Sequence, residues 1–270
     1  MNYPPISLSP RRTTRNARGF TLVEMMTAIT VLSLMLVMLG QILQMASQAW
    51  TNGLRNVNNF TKARAMLDMF TRDLQSGVFR SDLAAFPGSG TAFYTERPGI
   101  LTSGGSERQV SLVQYDYGTD TSTPVSLTTL RRGDQAIGWN DAATTIPFGQ
   151  TDFTGTTVTP RDTAPGVLDY KVLFIYADGT SSATYTASAT NPLRAVGFTL
   201  LVVDDKTLNL LSTTQIQTLR TQFDAAVTGT RSVKADWEKN LATSMVWSSY
   251  PKSLGLGLKI FERYVPVTGF

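Results

Sequence analysis

A single carboxylate stands inside a long apolar run. From Phe20 to Leu43 the chain has 24 residues, and Glu24 is the only formal charge among them. About 20 apolar residues at ~1.5 Å rise each suffice to cross a hydrocarbon core, so this run is long enough to span a membrane. An ionisable residue in such a span costs on the order of 2.5–3.5 kcal/mol at the bilayer centre and marks a functional site by default. Glu24 lies one helical turn from Phe20, near the interface, where that cost is lower. A charge in low dielectric is expensive unless paired, so the chemistry open to Glu24 is recognition of a cation.

Few other residues offer chemistry. The chain has no histidine and no cysteine, which removes Ser-His and Cys-His nucleophile pairs and the usual zinc ligand sets. Asp116, Asp120, Asp204 and Asp205 are oxygen donors of the kind calcium prefers, but neither cluster has the spacing of a calcium loop. The same carboxylates do not read as a glycosidase pair, since nothing in the sequence sets two of them across a cleft. They are read as solvated turn acids. Trp139, Trp237 and Trp247, with the nine tyrosines, are read as core or surface aromatics. The expectation is a chain with no catalytic residues, no metal site and no cofactor: not an enzyme.

Charge is unevenly placed. The chain carries 24 Lys+Arg against 20 Asp+Glu, a formal +4. Arg11, Arg12, Arg15 and Arg18 precede the apolar run with no acid among them and account for the whole excess. A nucleic-acid-binding stripe would need surplus charge in the folded part, so no nucleic acid partner is expected. Cations just before a membrane segment instead fix orientation, with the N-terminus cytoplasmic and the C-terminal part exported.

Gly19-Phe20-Thr21-Leu22-Val23-Glu24 resembles the N-terminal processing motif of type IV pilins and type II secretion pseudopilins. The resemblance implies cleavage after Gly19 by a prepilin peptidase, methylation of the new N-terminal Phe20, and a role for Glu24 in subunit assembly. The cut would leave an α-amine on Phe20, cationic near neutral pH with an ordinary pKa of about 8. In a filament built from heterologous contacts, Glu24 of one subunit can then meet the Phe20 amine of the next. Two other readings of the N-terminus exist. Ser47-Gln48-Ala49 resembles a secretory cleavage site, which would release a secreted protein, yet the apolar run exceeds an ordinary signal core and Glu24 goes unexplained. An uncleaved single-pass anchor carrying an exported binding protein explains the length but not the motif.

The elements that position these residues follow from periodicity. Beyond Trp50 the apolar helix turns amphipathic: Phe60, Ala63, Leu67, Phe70, Leu74 and Val78 recur at helical spacing, with Arg64–Asp68 and Asp68–Arg72 on the other face. The reading is one helix from about Phe20 to Phe79, roughly 60 residues or about 90 Å, with Gly40 and Asn52-Gly53 as soft points. Ala28, Ser33 and Gly40 are small residues that could admit close helix packing. From Ser81 to Gly166, loops rich in Gly, Ser, Thr and Pro enclose short strands at Ser111–Tyr117, Val125–Leu130 and Thr156–Thr159. Stronger strands are expected at Val167–Ala177, ending in the turn dipeptide Asp178-Gly179, and at Arg194–Val203. Ser212 with Gln215 forms a capping box opening a helix to about Val227. A second helix at Val233–Met245 and a final strand at Leu254–Val267 complete the pattern.

The expected fold is α+β: a long N-terminal helix, membrane-spanning in its first half and amphipathic in its second, packed on antiparallel β-sheet of a C-terminal globular domain. The expected organisation is a basic leader (1–19), a transmembrane or filament-core helix (20–45), its amphipathic continuation (46–80) and a β-rich exported domain (81–270). Asn191-Pro192-Leu193-Arg194-Ala195-Val196 before a strand ending at Asp204 is similar to the J-type minor pseudopilins, although here the proline precedes the leucine. The segment from Ser47 to Leu74 is similar to a group of large pilin-like cassette proteins. These resemblances imply a structural filament subunit whose partners are other pilin-like or pseudopilin subunits, the prepilin peptidase and an inner-membrane assembly platform. It would sit single-pass in the inner membrane with a periplasmic domain.

Overall fold

The computed structural model describes residues 19–78, 91–98, 107–117, 122–138, 160–186, 188, 190–228, 232–243 and 247–267. The chain forms two compact units, Met1–Asn52 and Gly53–Phe270. Helix α1 (Leu22–Gln75, 54 residues) contributes to both. It stops short of the expected Phe79 because the chain turns to pair elsewhere: Gly77 N–H bonds Leu74 C=O, and Val78 N–H bonds Tyr94 C=O. Phe79 itself lies outside the described residues, as do the strand expected at 156–159 and residues 244–245 of the second expected helix.

In the second unit, β1 (Thr91–Thr95), β2 (Glu107–Tyr117), β3 (Leu130–Gly138) and β4 (Pro160–Ala164) form an antiparallel meander. A second antiparallel sheet has the order β6-β5-β7-β8, from β5 (Val167–Tyr176), β6 (Ser181–Ser182), β7 (Leu193–Val203) and β8 (Leu258–Pro266). The turn between β4 and β5 requires Gly166. Its φ is +84°, and a Cβ there would lie 2.8 Å from Val203 O, a conformation and contact that only glycine accepts.

Two predicted strands change character. Val125–Leu130 is not a strand throughout. Pro124–Leu127 forms the short helix α2, with Thr123 as N-cap and proline at the helix start, where a missing N–H costs nothing; the strand begins only at Leu130. The last strand likewise starts at Leu258 rather than Leu254. A helical turn, Leu254–Gly257, precedes it and buries Leu254 in the helical layer. Between β7 and β8 run α3 (Asp205–Leu208), α4 (Thr213–Ala226), α5 (Val233–Thr243), a 3₁₀ turn at Trp247–Ser249, and that turn, α6. The Ser212–Gln215 capping box is present with both reciprocal bonds.

Period-two alternation in the second sheet feeds two cores. Val196, Phe198, Leu200 and Val202 of β7 join Ala63, Met66, Leu67, Phe70 and Leu74 of α1, together with Phe93 and Tyr115 of the first sheet. Leu201 and Val203 point the other way, onto Ile216, Leu219, Phe223 and Trp237 of the helical layer. Phe70 ties the helix to both sheets. It stacks on Phe198 at 3.9 Å between centroids and meets Phe93 and Tyr115 edge-on. The buried stripe of α1 is Asn59, Ala63, Met66, Leu67, Phe70, Asp73 and Leu74, rotated slightly from the expected one. Phe60 is 54% exposed and touches Phe261 edge-on, while Asn59 takes the buried place and donates to Gly257 C=O at 3.2 Å.

Candidate functional site

The start of α1 has its own hydrogen-bond economy. Thr21 is the N-cap residue: its hydroxyl accepts from Glu24 N–H at 3.2 Å. The Glu24 carboxylate reaches back, accepting from Thr21 N–H at 2.9 Å and from the Thr21 hydroxyl at 3.0 Å. This is a capping box, which satisfies two of the otherwise orphaned N–H groups at a helix start and places the carboxylate at the positive end of the helix dipole. Its signature, threonine followed three residues later by glutamate ahead of an apolar run, is legible in the sequence.

Downstream, the hydroxyls in the apolar stretch turn inward on the backbone. Thr27 donates to Glu24 C=O, Thr30 to Met26 and Thr27 C=O, and Ser33 to Thr30 C=O. Bonds of this kind leave no unpaired hydroxyl to be buried in hydrocarbon. Every residue from Gly19 to Leu54 is exposed, Phe20 at 85% and Leu36 at 60%. The helix is long and apolar enough to cross a membrane, and none of its most apolar window is buried inside the molecule. At 100° per residue Ser33 and Gly40 share a face while Ala28 stands well away from it.

The chain around Gly19 does not itself require glycine. A Cβ built there meets no described atom within 4 Å. Among the described residues, the partners of the Glu24 carboxylate are the two groups of Thr21.

The other acids singled out in the sequence are structural. Asp116 of β2 pairs with Arg131 of β3 at 3.0 Å; partial burial raises its pKa against the opposing pull of that guanidinium. Asp204 caps α3, accepting from Lys206 and Thr207 N–H at 3.1 Å and from the Thr207 hydroxyl at 2.6 Å. Asp205 pairs with Lys62 at 2.6 Å. Asp120 and Trp139 lie outside the described residues. Trp237 is fully buried and donates its indole N–H to Phe223 C=O.

Two buried carboxyls escaped the sequence reading. Asp73, near the end of α1, receives both arms of Arg132 at 2.5 and 3.0 Å, the Tyr115 hydroxyl at 2.7 Å and Arg97 at 3.4 Å. Burial and the Asp73 charge push the Tyr115 phenol well above its ordinary pKa. Asp73 lies in phase with Asn59, Ala63, Met66 and Phe70, and that phase was the available signal. Asp169 of β5 is 4% exposed, two residues before Lys171 in a strand that is otherwise mostly apolar.

A family model described as the prokaryotic N-terminal methylation motif matches residues 14–40. Among solved structures, a type IV-like pilin from Thermus thermophilus is similar at 14% identity and a TM-score of 0.35, covering 77% of this chain and 95% of that one. No curated protein matches the sequence. The matched segment contains Gly19, Phe20, Thr21 and Glu24, and on it the chain is identified as a carrier of the methylation motif that signals type IV pilins and pseudopilins.

Proposed function

We propose that the chain is a structural, minor pilin-like or pseudopilin subunit. Its precursor is held in the inner membrane by the apolar part of α1 and oriented by Arg11, Arg12, Arg15 and Arg18, which keep the leader cytoplasmic. A prepilin peptidase cuts after Gly19 and Phe20 is methylated. An assembly platform then moves the subunit into a type IV pilus-like or type II pseudopilus filament. Residues 1–19 are the leader, 20–45 the membrane and filament-core helix, 46–80 its continuation, and 81–270 the exported domain that contacts other subunits.

The observation that carries this reading is that the bare stretch of α1 up to Leu54 has one charge, Glu24, on its first turn. A helix apolar on all sides needs lipid or other helices around it, and in this reading Glu24 is the group that pairs with a neighbour's N-terminal amine.

The test reads the mature N-terminus by mass spectrometry and follows two Glu24 variants. The expected N-terminus is N-methylated Phe20. A chain still starting at Met1 in cells with active peptidase points to an uncleaved anchor, and one starting at Trp50 to a secreted protein; either overturns the proposal. Glutamine can replace glutamate in a capping box, so Glu24→Gln removes the charge and keeps the helix start, whereas Glu24→Val removes both. Both should insert in the membrane, since losing a charge eases insertion, and both should be absent from sheared filaments. Normal incorporation of Glu24→Gln would show that Glu24 serves only its own helix.

A further inference from the structure

A buried acid lies at the seam where α4 meets β5. Asp169 is 4% exposed. Its Oδ1 accepts from Tyr170 N–H at 2.8 Å and from the Tyr117 hydroxyl at 3.5 Å. Its Oδ2 is buried with no hydrogen-bond partner among the described residues. The cations nearby are committed elsewhere. Lys171, also on β5, pairs with Asp224 of α4 at 2.7 Å. Arg220 of α4 donates to Leu168 C=O at 2.6 Å and to Leu127 C=O, with its guanidinium 3.9 Å above the Tyr117 ring. Asp224 lies within hydrogen-bonding reach of Asp169. From β2 the cluster is faced by Tyr117, and by Asp116 through Tyr170. The neighbouring strand β7 presents Leu201 opposite Asp169, and α2 contributes no titratable side chain.

A buried carboxylate oxygen facing another carboxylate is satisfied only when one of the two carries a proton. We propose that Asp169 is that protonated partner, that its O–H donates to Asp224, and that this shared proton fastens α4 to β5 as a pH-sensitive joint. The proton leaves Asp169 for water as pH rises, and two anions then face each other across the seam while Lys171 is paired with Asp224. Burial, reinforced by the Asp224 charge, pushes the Asp169 carboxyl up to about 8, which places the transition in a mildly alkaline range. In the unfolded chain the same group titrates at about 3.9. Its folded pKa is therefore raised, so its stabilising contribution is complete below about pH 4 and is lost as pH rises to about 8. The joint belongs to the Gly53–Phe270 unit and does not depend on how the N-terminus is processed.

The experiment uses the full chain in detergent micelles, with infrared spectra and chemical unfolding recorded between pH 5 and 9. Wild type should keep a protonated-carboxyl C=O band at neutral pH that disappears above about pH 8. Its folding equilibrium constant, relative to Asp169→Asn, should fall by up to about tenfold per pH unit and level off above that transition. Hydrogen exchange within α4 should quicken over the same interval. Asp169→Asn should lack the band and the weakening that wild type shows as pH rises to about 8. Asp224→Asn removes the repelling charge and frees Lys171, so it should move loss of the band to lower pH; that variant and the wild-type spectrum decide the matter if Asp169→Asn does not fold. Absence of the band at pH 6, its persistence in Asp169→Asn, or identical pH profiles for wild type and Asp169→Asn would overturn the proposal.

Discussion

The two halves of α1 are one helix in hydrogen bonding and two different objects in solvation. Between Leu22 and Asn52 no residue is buried, and the sequence is apolar on all sides up to Leu43. Between Gly53 and Gln75 only one stripe is buried, and it ends at Asp73 and Leu74. A segment of the first kind is stable as a helix because lipid or other helices leave its backbone no alternative partner. A segment of the second kind owes its order to tertiary packing of one face. The comparison teaches that a continuous helix can be assigned two environments by composition alone. The polar cluster Asn52-Gly53, Asn56, Asn58 and Asn59 marks the change.

The largest expected effect separates the halves by stability. Phe70→Ala removes the ring that joins α1 to both sheets and should cost about 3–5 kcal/mol of domain stability. Leu36→Ala, in the bare half, should leave the unfolding of the Gly53–Phe270 unit unchanged. Urea unfolding of the full chain in detergent, followed by near-ultraviolet circular dichroism, checks both. Comparable losses from the two substitutions would break the distinction.

A second, somewhat smaller effect tests what ends the buried stripe. Arg132→Leu leaves Asp73 buried with Tyr115 and the more distant Arg97. Removing one partner of a buried pair leaves an uncompensated charge and should cost about 3 kcal/mol. The paired change Asp73→Leu with Arg132→Leu should recover part of that loss, because a buried ion pair can be replaced by apolar contacts at little net cost. A double-mutant cycle measures the difference. No recovery would mean that Asp73 positions the helix end through Tyr115 rather than through charge neutralisation.

How much of this was legible follows from the range of each interaction. The capping box at Ser212, the alternation of β5 and β7 and the stripe of Ala63, Leu67, Phe70 and Leu74 are set by neighbours a few residues apart, and sequence reading reaches them. Pro124 behind Thr123 was a local signal for helix α2, outweighed by the β-branched and apolar residues after it. The Thr21–Glu24 cap is equally local, set by two residues three apart. Asp73 and Asp169 are different. Arg132 and Tyr115 come from 59 and 42 residues beyond Asp73, and Asp224 comes from another layer, so the local pattern, which at most puts Asp73 in phase with the buried stripe, names no partner for either acid. Phe60 was misplaced for a similar reason: the carbonyl that draws Asn59 inward belongs to Gly257, 198 residues away.

The smallest expected effect lies where the second half begins. Residues 55–62 of α1 touch the domain mainly through polar groups, with the half-exposed Phe60 edge-on to Phe261 beside them: Arg55 stands 3.8 Å from Asp204, Asn59 bonds Gly257, and Lys62 meets Asp205 at 2.6 Å. The Lys62–Asp205 pair is open to water, with side-chain exposures of 23% and 65%. Exposed pairs of this kind contribute about 0–1 kcal/mol and are screened by salt. Lys62→Ala should therefore lower global stability by well under about 1 kcal/mol, and the difference from wild type should shrink further in high salt. Hydrogen exchange of amides 55–62 should rise more than that of amides 63–75, because the apolar stripe remains in place. A loss from Lys62→Ala as large as that from Phe70→Ala, or one that salt does not reduce, would move the boundary of the packed half back toward Gly53 and make the ion pair part of the core.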